Sequence, residues 1–184
     1  MAALRQKLDR NTACVLVVDV QEKLVPVMWN FPSVEKYCRA MILAGRELGM
    51  PVLATEQYPK GLGGTAASIR EALPAPPLVK MHFSCGADPA FAQALAATGR
   101  KQVIVVGVET HVCVFQTVRD LLDLGYEVYV CADAVTSRFE EHRRVALEQM
   151  RGLGAVVTSA ETAIFDLLHL CGTPEFKRVS ALVR

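Results

Sequence analysis

Three observations in the amino-acid sequence predict an α/β protein of three α-β-α layers, with a six-stranded parallel sheet between helices. Six short runs rich in Val and Ile recur along the chain, each apolar on consecutive residues, as strands buried on both faces require. Segments carrying helix-end signals separate these runs, and strict alternation of strand and helix implies right-handed crossovers and a Rossmann-like open sheet. The 184 residues suffice for one full core but not for two, and no linker or internal repeat divides them, so residues 1–184 read as a single domain.

The elements follow in order. ACVLVV (13–18) is the first strand, and Ser33 is placed to cap a helix running to Gly49, where glycine suits the left-handed C′ position. PVLAT (51–55) is the second strand. The glycine-rich GLGGTA (61–66) then reads as a pocket-covering loop, and PAPP (74–77) as a stiff connection into the third strand, PLVK (77–80). Asp88-Pro89 has the form of an N-cap followed by proline at N1. QVIVVG (102–107) is the fourth strand, and Val112 to Leu124 carries helical spacing that ends at Gly125. YEVYVC (126–131) is the fifth. Ser137 precedes a helix with Glu140 and Glu141 in its first turn, ending near Gly152 and Gly154. AVVT (155–158) is the sixth strand, and Ser159 and Thr173-Pro174 begin two last helices.

Composition excludes several function classes. With 20 basic and 19 acidic side chains the formal net charge is +1, which gives no electrostatic footprint for nucleic acid. The longest apolar runs fall far below the roughly 18 residues of a membrane span, and MAALRQKLDR has no apolar leader core, so neither membrane nor secretion is expected and the location reads as cytoplasmic. Six scattered cysteines without a CxxC pair argue for reduced thiols rather than a zinc ribbon or disulfide framework.

In open parallel sheets ligands bind beyond the carboxyl ends of the strands, which directs attention to the residues there. Strand one ends in Asp19, with Gln21 and Glu22 beyond; a carboxylate after VLVV is either a helix cap or a group with a task. Strand three ends in Lys80, which either snorkels to solvent or pairs with a buried acid. Strand four ends at Gly107, and the following loop delivers Cys113 to a helix start, where free N–H groups and the dipole favour thiolate; the other reading is a buried structural thiol. Taken as neighbours near the sheet centre, these three strands place Asp19, Lys80 and Cys113 around one crevice. A carboxylate to take the thiol proton, an ammonium to balance the anions and a thiolate to attack a carbonyl form a coherent set.

Rival patterns are weaker. His111 lies two residues from Cys113, and residues at that spacing do not face each other on a helix, so a Cys-His dyad is disfavoured. Zinc between them lacks further ligands. GLGGTA matches a dinucleotide pattern, but Glu56 to Lys60 separate it from the strand, whereas the true motif closes that turn at once. Trp29, Phe31, Tyr58 and Phe83 lie in or near loops after the first three strands and can wall an apolar pocket or a subunit interface.

Together VLVVDVQ (15–21), VKMHFS (79–84), GVETHVCV (107–114) and CADAVTS (131–137) resemble the isochorismatase-like cysteine hydrolases, over nearly the whole chain. VLATEQYPKGLGGT (52–65) is similar to the isochorismatase domain-containing group within them. The resemblance implies an isochorismatase-like hydrolase fold assembled as a homo-oligomer, dimer or tetramer, and a catalytic triad at Asp19, Lys80 and Cys113. It further implies a cis peptide between Val108 and Glu109, an oxyanion hole from the N–H groups of Glu109 and Cys113, and a small-molecule pocket including Gln21, Trp29, Tyr58, Phe83, Val108 and His111. Related nicotinamidases hold a metal through an Asp-x-His pair after strand two; here that run is Glu56-Gln57-Tyr58, so neither metal nor other cofactor is expected. Retention of Cys113 favours acyl or amide chemistry over vinyl-ether hydrolysis, which needs no nucleophile. The different-class alternative is a non-catalytic interaction protein that keeps the fold.

Overall fold

The computed structural model describes residues 7–184. Six strands, β1 (Ala13–Val18), β2 (Val52–Gln57), β3 (Leu78–Lys80), β4 (Gln102–Val108), β5 (Glu127–Thr136) and β6 (Val156–Thr158), form one parallel sheet in the order β3-β2-β1-β4-β5-β6. The chain starts in the middle, builds outward to β3, crosses back to β4 and proceeds to β6. This places the reversal of winding between β1 and β4, the point at which open parallel sheets bind ligands beyond the strand ends.

Strand periodicity explains the two apolar layers. Val15 and Val17 of β1, with Ile104 and Val106 of β4, face one cluster, while Cys14 and Leu16, with Val103 and Val105, face the other. Every residue of β1 and β4 is buried. The first cluster is covered by α1 (Phe31–Glu47), α3 (Ala67–Ala72), α7 (Ala160–Leu168) and α8 (Pro174–Ser180), and the second by α4 (Pro89–Ala97), α5 (Phe115–Asp123) and α6 (Glu140–Gly152). The remaining helix, α2 (Pro59–Leu62), is one short turn between β2 and α3.

Asp88, Ser159 and Thr173 cap α4, α7 and α8 by accepting from backbone N–H groups two or three residues on. Ser33 does not cap α1: the helix starts two residues earlier, at Phe31, because Asn30 takes a left-handed turn and Pro32 occupies the first turn. Ser137 is likewise no cap, since its hydroxyl is drawn to His111. The glycine-rich stretch after β2 is not an open loop but contains α2 and pairs back, through a bridge between Thr65 and Gln21.

The three site-bearing strands are not neighbours. β1 and β4 pair, but β3 is the sheet edge with β2 between it and β1. Two strand spacings, roughly 10 Å, separate β3 from β1, and only a lysine or arginine is long enough to bridge most of that gap from the far strand.

Candidate active site

β1 stops because Asp19 turns into the left-handed region at φ 49°, a conformation that Asp tolerates better than most side chains. The turn sends its carboxylate into the crevice, wholly buried. Next to it β4 passes so close that a Cβ on Gly107 would stand 2.1 Å from the Val18 carbonyl oxygen; the glycine, at φ 116°, is what lets the two strand ends meet.

Lys80, 1% exposed, reaches across the end of β2 and sets its ammonium 2.7 Å from Asp19 Oδ2. Nζ also donates to Gln57 Oε1 at 2.8 Å and lies 3.0 and 3.1 Å from the Phe83 and His82 carbonyls. An ammonium has three hydrogens, and these four protein oxygens absorb them all. Lys80 therefore acts through Asp19 and not as a hydrogen-bond donor to a ligand. Burial works against its charge, but Asp19, Cys85 and Cys113 outweigh burial and hold its pKa above the ordinary value.

After β4 the Val108–Glu109 peptide bond is cis, and Thr110–Val114 form a single π-turn before α5 begins. Cys113 sits in that π-turn rather than in the first turn of α5, and π-turns recur at functional sites. The thiol, 7% exposed, faces Asp19. Burial first, and then the negative charge of Asp19, push the thiol far above its ordinary range, with Lys80 opposing. The resting pair is thus a thiol facing a carboxylate, not the thiolate that a helix dipole alone suggests. Lys80 cannot reverse this because its charge is already matched by Asp19.

Two contacts tie the π-turn to the end of β5. The Glu109 carboxylate accepts from the N–H and Nε of Arg138 at 3.1 and 3.0 Å, and His111 Nδ1 lies 2.9 Å from Ser137 Oγ. The His111 ring stacks 4.6 Å from that of His142, and burial lowers its pKa. Glu109 so turns its side chain away to Arg138, and the group acting on the Cys113 thiol is Asp19 rather than His111.

The other pocket residues separate into two groups. Trp29, Tyr58 and Phe83 are partly exposed on loops after β1, β2 and β3. Trp29 is fixed by Thr136 Oγ1 donating to its carbonyl at 2.7 Å, with the Arg143 guanidinium over its ring. Gln21 and Val108 are fully buried, and Gln21 has a different occupation: its amide bonds the Gln57 N–H and carbonyl and the Gly63 carbonyl, stitching the chain after β1 to that after β2.

Residues 13–162 match the isochorismatase domain. The chain belongs to the isochorismatase family. It is 40% identical along its whole length to 93% of a secreted isochorismatase effector of Phytophthora sojae. It is 38% identical, also along its whole length, to 90% of isochorismatase domain-containing protein 2 of Bos taurus. Among solved structures it superposes on the MAR1 ribonuclease of Caenorhabditis elegans with TM-score 0.91 at 38% identity, over 96% of this chain and 92% of that one. YcaC of Pseudomonas aeruginosa, solved with hexane-2,5-diol and covalent acrylamide, gives TM-score 0.90 at 25% identity, over 98% and 93%.

In this family member sequence reasoning passed over Thr55, Gln57, Cys85 and Phe139. Thr55 and Gln57 alternate on β2, so both point to the same side; Thr55 closes the run PVLAT and Gln57 lies just past it, so the rule of inspecting each strand end already led to both. Phe139, 61% exposed, follows β5 by the same rule. Cys85 had no sequence signal beyond lying five residues after Lys80. The Glu56 carboxylate is committed to the Thr65 N–H and hydroxyl at 2.6 and 2.7 Å. Among the described residues no three His, Cys, Asp or Glu side chains are grouped to hold a metal ion.

Proposed function

We propose that the chain is a cysteine hydrolase that cleaves a small amide-type C–N bond, or a related acyl bond, through Asp19, Lys80 and Cys113 without a metal. The single observation that carries this reading is the fully buried Asp19–Lys80 pair with the Cys113 thiol beside its carboxylate. Maintaining two buried charges costs several kcal/mol of desolvation per ion, which packing alone gives no reason to retain.

As the sulfur attacks the substrate carbonyl, Asp19 takes the thiol proton, so that no free thiolate is needed beforehand. The oxyanion would rest on the N–H groups of Glu109 and Cys113, each worth about 3 kcal/mol in the transition state. Collapse breaks the C–N bond, Asp19 returns the proton to the leaving nitrogen, and a thioester remains. Asp19 then takes a proton from water, whose oxygen attacks the thioester, and releases it to the Cys113 sulfur as the acid product leaves. Lys80 holds the carboxylate in place throughout. Trp29, Tyr58 and Phe83, with Phe139, would form the aromatic mouth that admits a small molecule.

The covalent acrylamide in the Pseudomonas aeruginosa relative supports a reactive nucleophile in this fold, since acrylamide is an electrophile that thiols attack. The ribonuclease relative does not extend readily to this chain, whose net charge of +1 offers no basic path for a phosphate backbone. The Escherichia coli YcaC structure is described as an octameric hydrolase, and a homo-oligomer is part of this proposal.

A panel of small amides and carbamoyl compounds assayed for ammonia release tests the reading. Turnover by the wild type that is absent in Cys113→Ala supports it, and turnover retained in Cys113→Ala overturns the covalent route.

A further inference from the structure

Behind the triad lies a second thiol that the proposed mechanism does not use. Cys85, wholly buried, places its sulfur 3.6 Å from Thr55 Oγ1, and Thr55 Oγ1 lies 2.8 Å from Asp19 Oδ1. The Cys85 backbone N–H donates to Thr117 Oγ1 at 2.8 Å, so the segment carrying this thiol is anchored to α5, the helix that directly follows the π-turn of Cys113.

The donor inventory fixes the direction of these bonds. An ionised carboxylate only accepts, so the single hydroxyl hydrogen of Thr55 must point to Asp19. Thr55 Oγ1 then has only lone pairs to offer Cys85, and the S–H of Cys85 must donate to it. We infer that Thr55 is a positioning residue for Asp19, backed by Cys85, through a one-way chain from the Cys85 S–H to the Thr55 hydroxyl to Asp19 Oδ1. This rests on the reading of Asp19 as the base for Cys113. With Oδ1 engaged by Thr55 and Oδ2 by Lys80, the carboxylate cannot rotate, and one lone pair on each oxygen stays available for the thiol proton.

The chain keeps its direction at neutral pH. Burial, followed by the charge of Asp19, pushes the Cys85 thiol up to about 11, so its hydrogen stays in place. The ionisable groups packed around Asp19 are Lys80 from β3, Cys85 from the segment after it and Cys113 from the π-turn; Thr55, from β2, adds no charge. A hydrogen-bond donor stabilises the charge of a carboxylate, and loss of the Thr55 hydroxyl removes one of the donors on Asp19.

The test is the rate at which acrylamide modifies Cys113, followed by peptide mass spectrometry from about pH 3 to pH 9 in proteins confirmed as folded by thermal melting. In Thr55→Val the acid limb of this profile moves upward by about one unit, and in Thr55→Ser, which keeps the hydroxyl, it returns to the wild-type position. Cys85→Ala, which leaves the Thr55 hydroxyl on Asp19 but removes the S–H donor behind it, shifts the limb the same way by less. An unmoved limb in Thr55→Val, or equal shifts in the Val and Ser variants, overturns the inference; if the Val protein does not fold, an unmoved limb in Cys85→Ala does so. Asp19→Asn separates the two levels. If it leaves the limb at the wild-type position, the Asp19–Cys113 reading itself fails, whereas a limb moved by Asp19→Asn but not by Thr55→Val removes only the role of Thr55.

Discussion

A lysine ammonium with all its hydrogens on protein oxygens has given up its hydration, and recovers that loss only while an ionised Asp19 stands beside it. The same holds for Asp19, whose charge is matched by Lys80 alone. Lys80→Met therefore strands a buried carboxylate and lowers stability by about 3–5 kcal/mol in urea unfolding. The double variant Asp19→Asn with Lys80→Met loses less than Lys80→Met alone, because no unpaired charge remains. Both lack turnover, so the stability difference isolates the charge pairing from the chemistry. A double variant that falls as far as the sum of its singles would show that the pair is not coupled. Asp19 was legible as a candidate because a polar side chain straight after a buried strand is costly without a purpose, and Cys113 because it follows the loop after strand four at an expected helix start. Lys80 was legible only as a choice between solvent and an acid, since its length allows either end state.

At the scale of elements, the junction of β1 and β4 carries the site. Gly107→Ala would force its Cβ into the Val18 backbone at a φ that L-residues rarely adopt, and neither backbone can yield without parting the central strands. The expected cost is on the order of 3 kcal/mol or more, read as a lowered urea midpoint. Any protein that does fold loses Cys113 reactivity toward acrylamide, because Asp19 directly follows Val18. Wild-type stability in Gly107→Ala would mean that the strands approach less closely than 2.1 Å implies. Helix starts with a capping oxygen and a following proline, as at Asp88 and Thr173, were readable because both signals are local. Ser33 misled because a capping side chain can be outbid by a neighbour, here an Asn-x-Pro turn that starts the helix earlier. β2 runs on through Glu56 and Gln57, which read as a strand end. Pairing with β3, Glu56 to Val79 and Gln57 to Lys80, is a tertiary contact that no local pattern announces.

For the whole molecule, the period and apolarity of six runs sufficed for the layers, but strand order is not a property of any run. Placing β3 at the sheet centre was the natural inference from wanting Lys80 near Asp19; the chain instead keeps β3 at the edge and lets one long side chain cross β2. The same core composition has a consequence for pH. Five thiols are buried, and burial pushes Cys14 up to about 12, Cys85 up to about 11, and Cys38, Cys113 and Cys131 higher still. In the unfolded chain each loses its proton near its ordinary value, about 8.5, while the folded protein retains it. The folded state then binds more protons than the unfolded one, so stability is intact below that value and falls as pH rises toward the folded ones. Each thiol contributes a slope of about 1.4 kcal/mol per pH unit once the unfolded form is ionised, and five acting together remove roughly 7 kcal/mol per unit, comparable to the whole stability of an ordinary domain. Lys80, whose folded value also lies above its ordinary one, adds to the loss at still higher pH. The melting temperature, measured under reducing conditions, is therefore expected to hold up to about pH 8 and to drop steeply over the next two units. Replacing Cys14 and Cys131 with Ala should lower the neutral-pH stability yet flatten that alkaline slope. A melting temperature unchanged between about pH 8 and pH 10 would show that the native core releases these protons as readily as the unfolded chain.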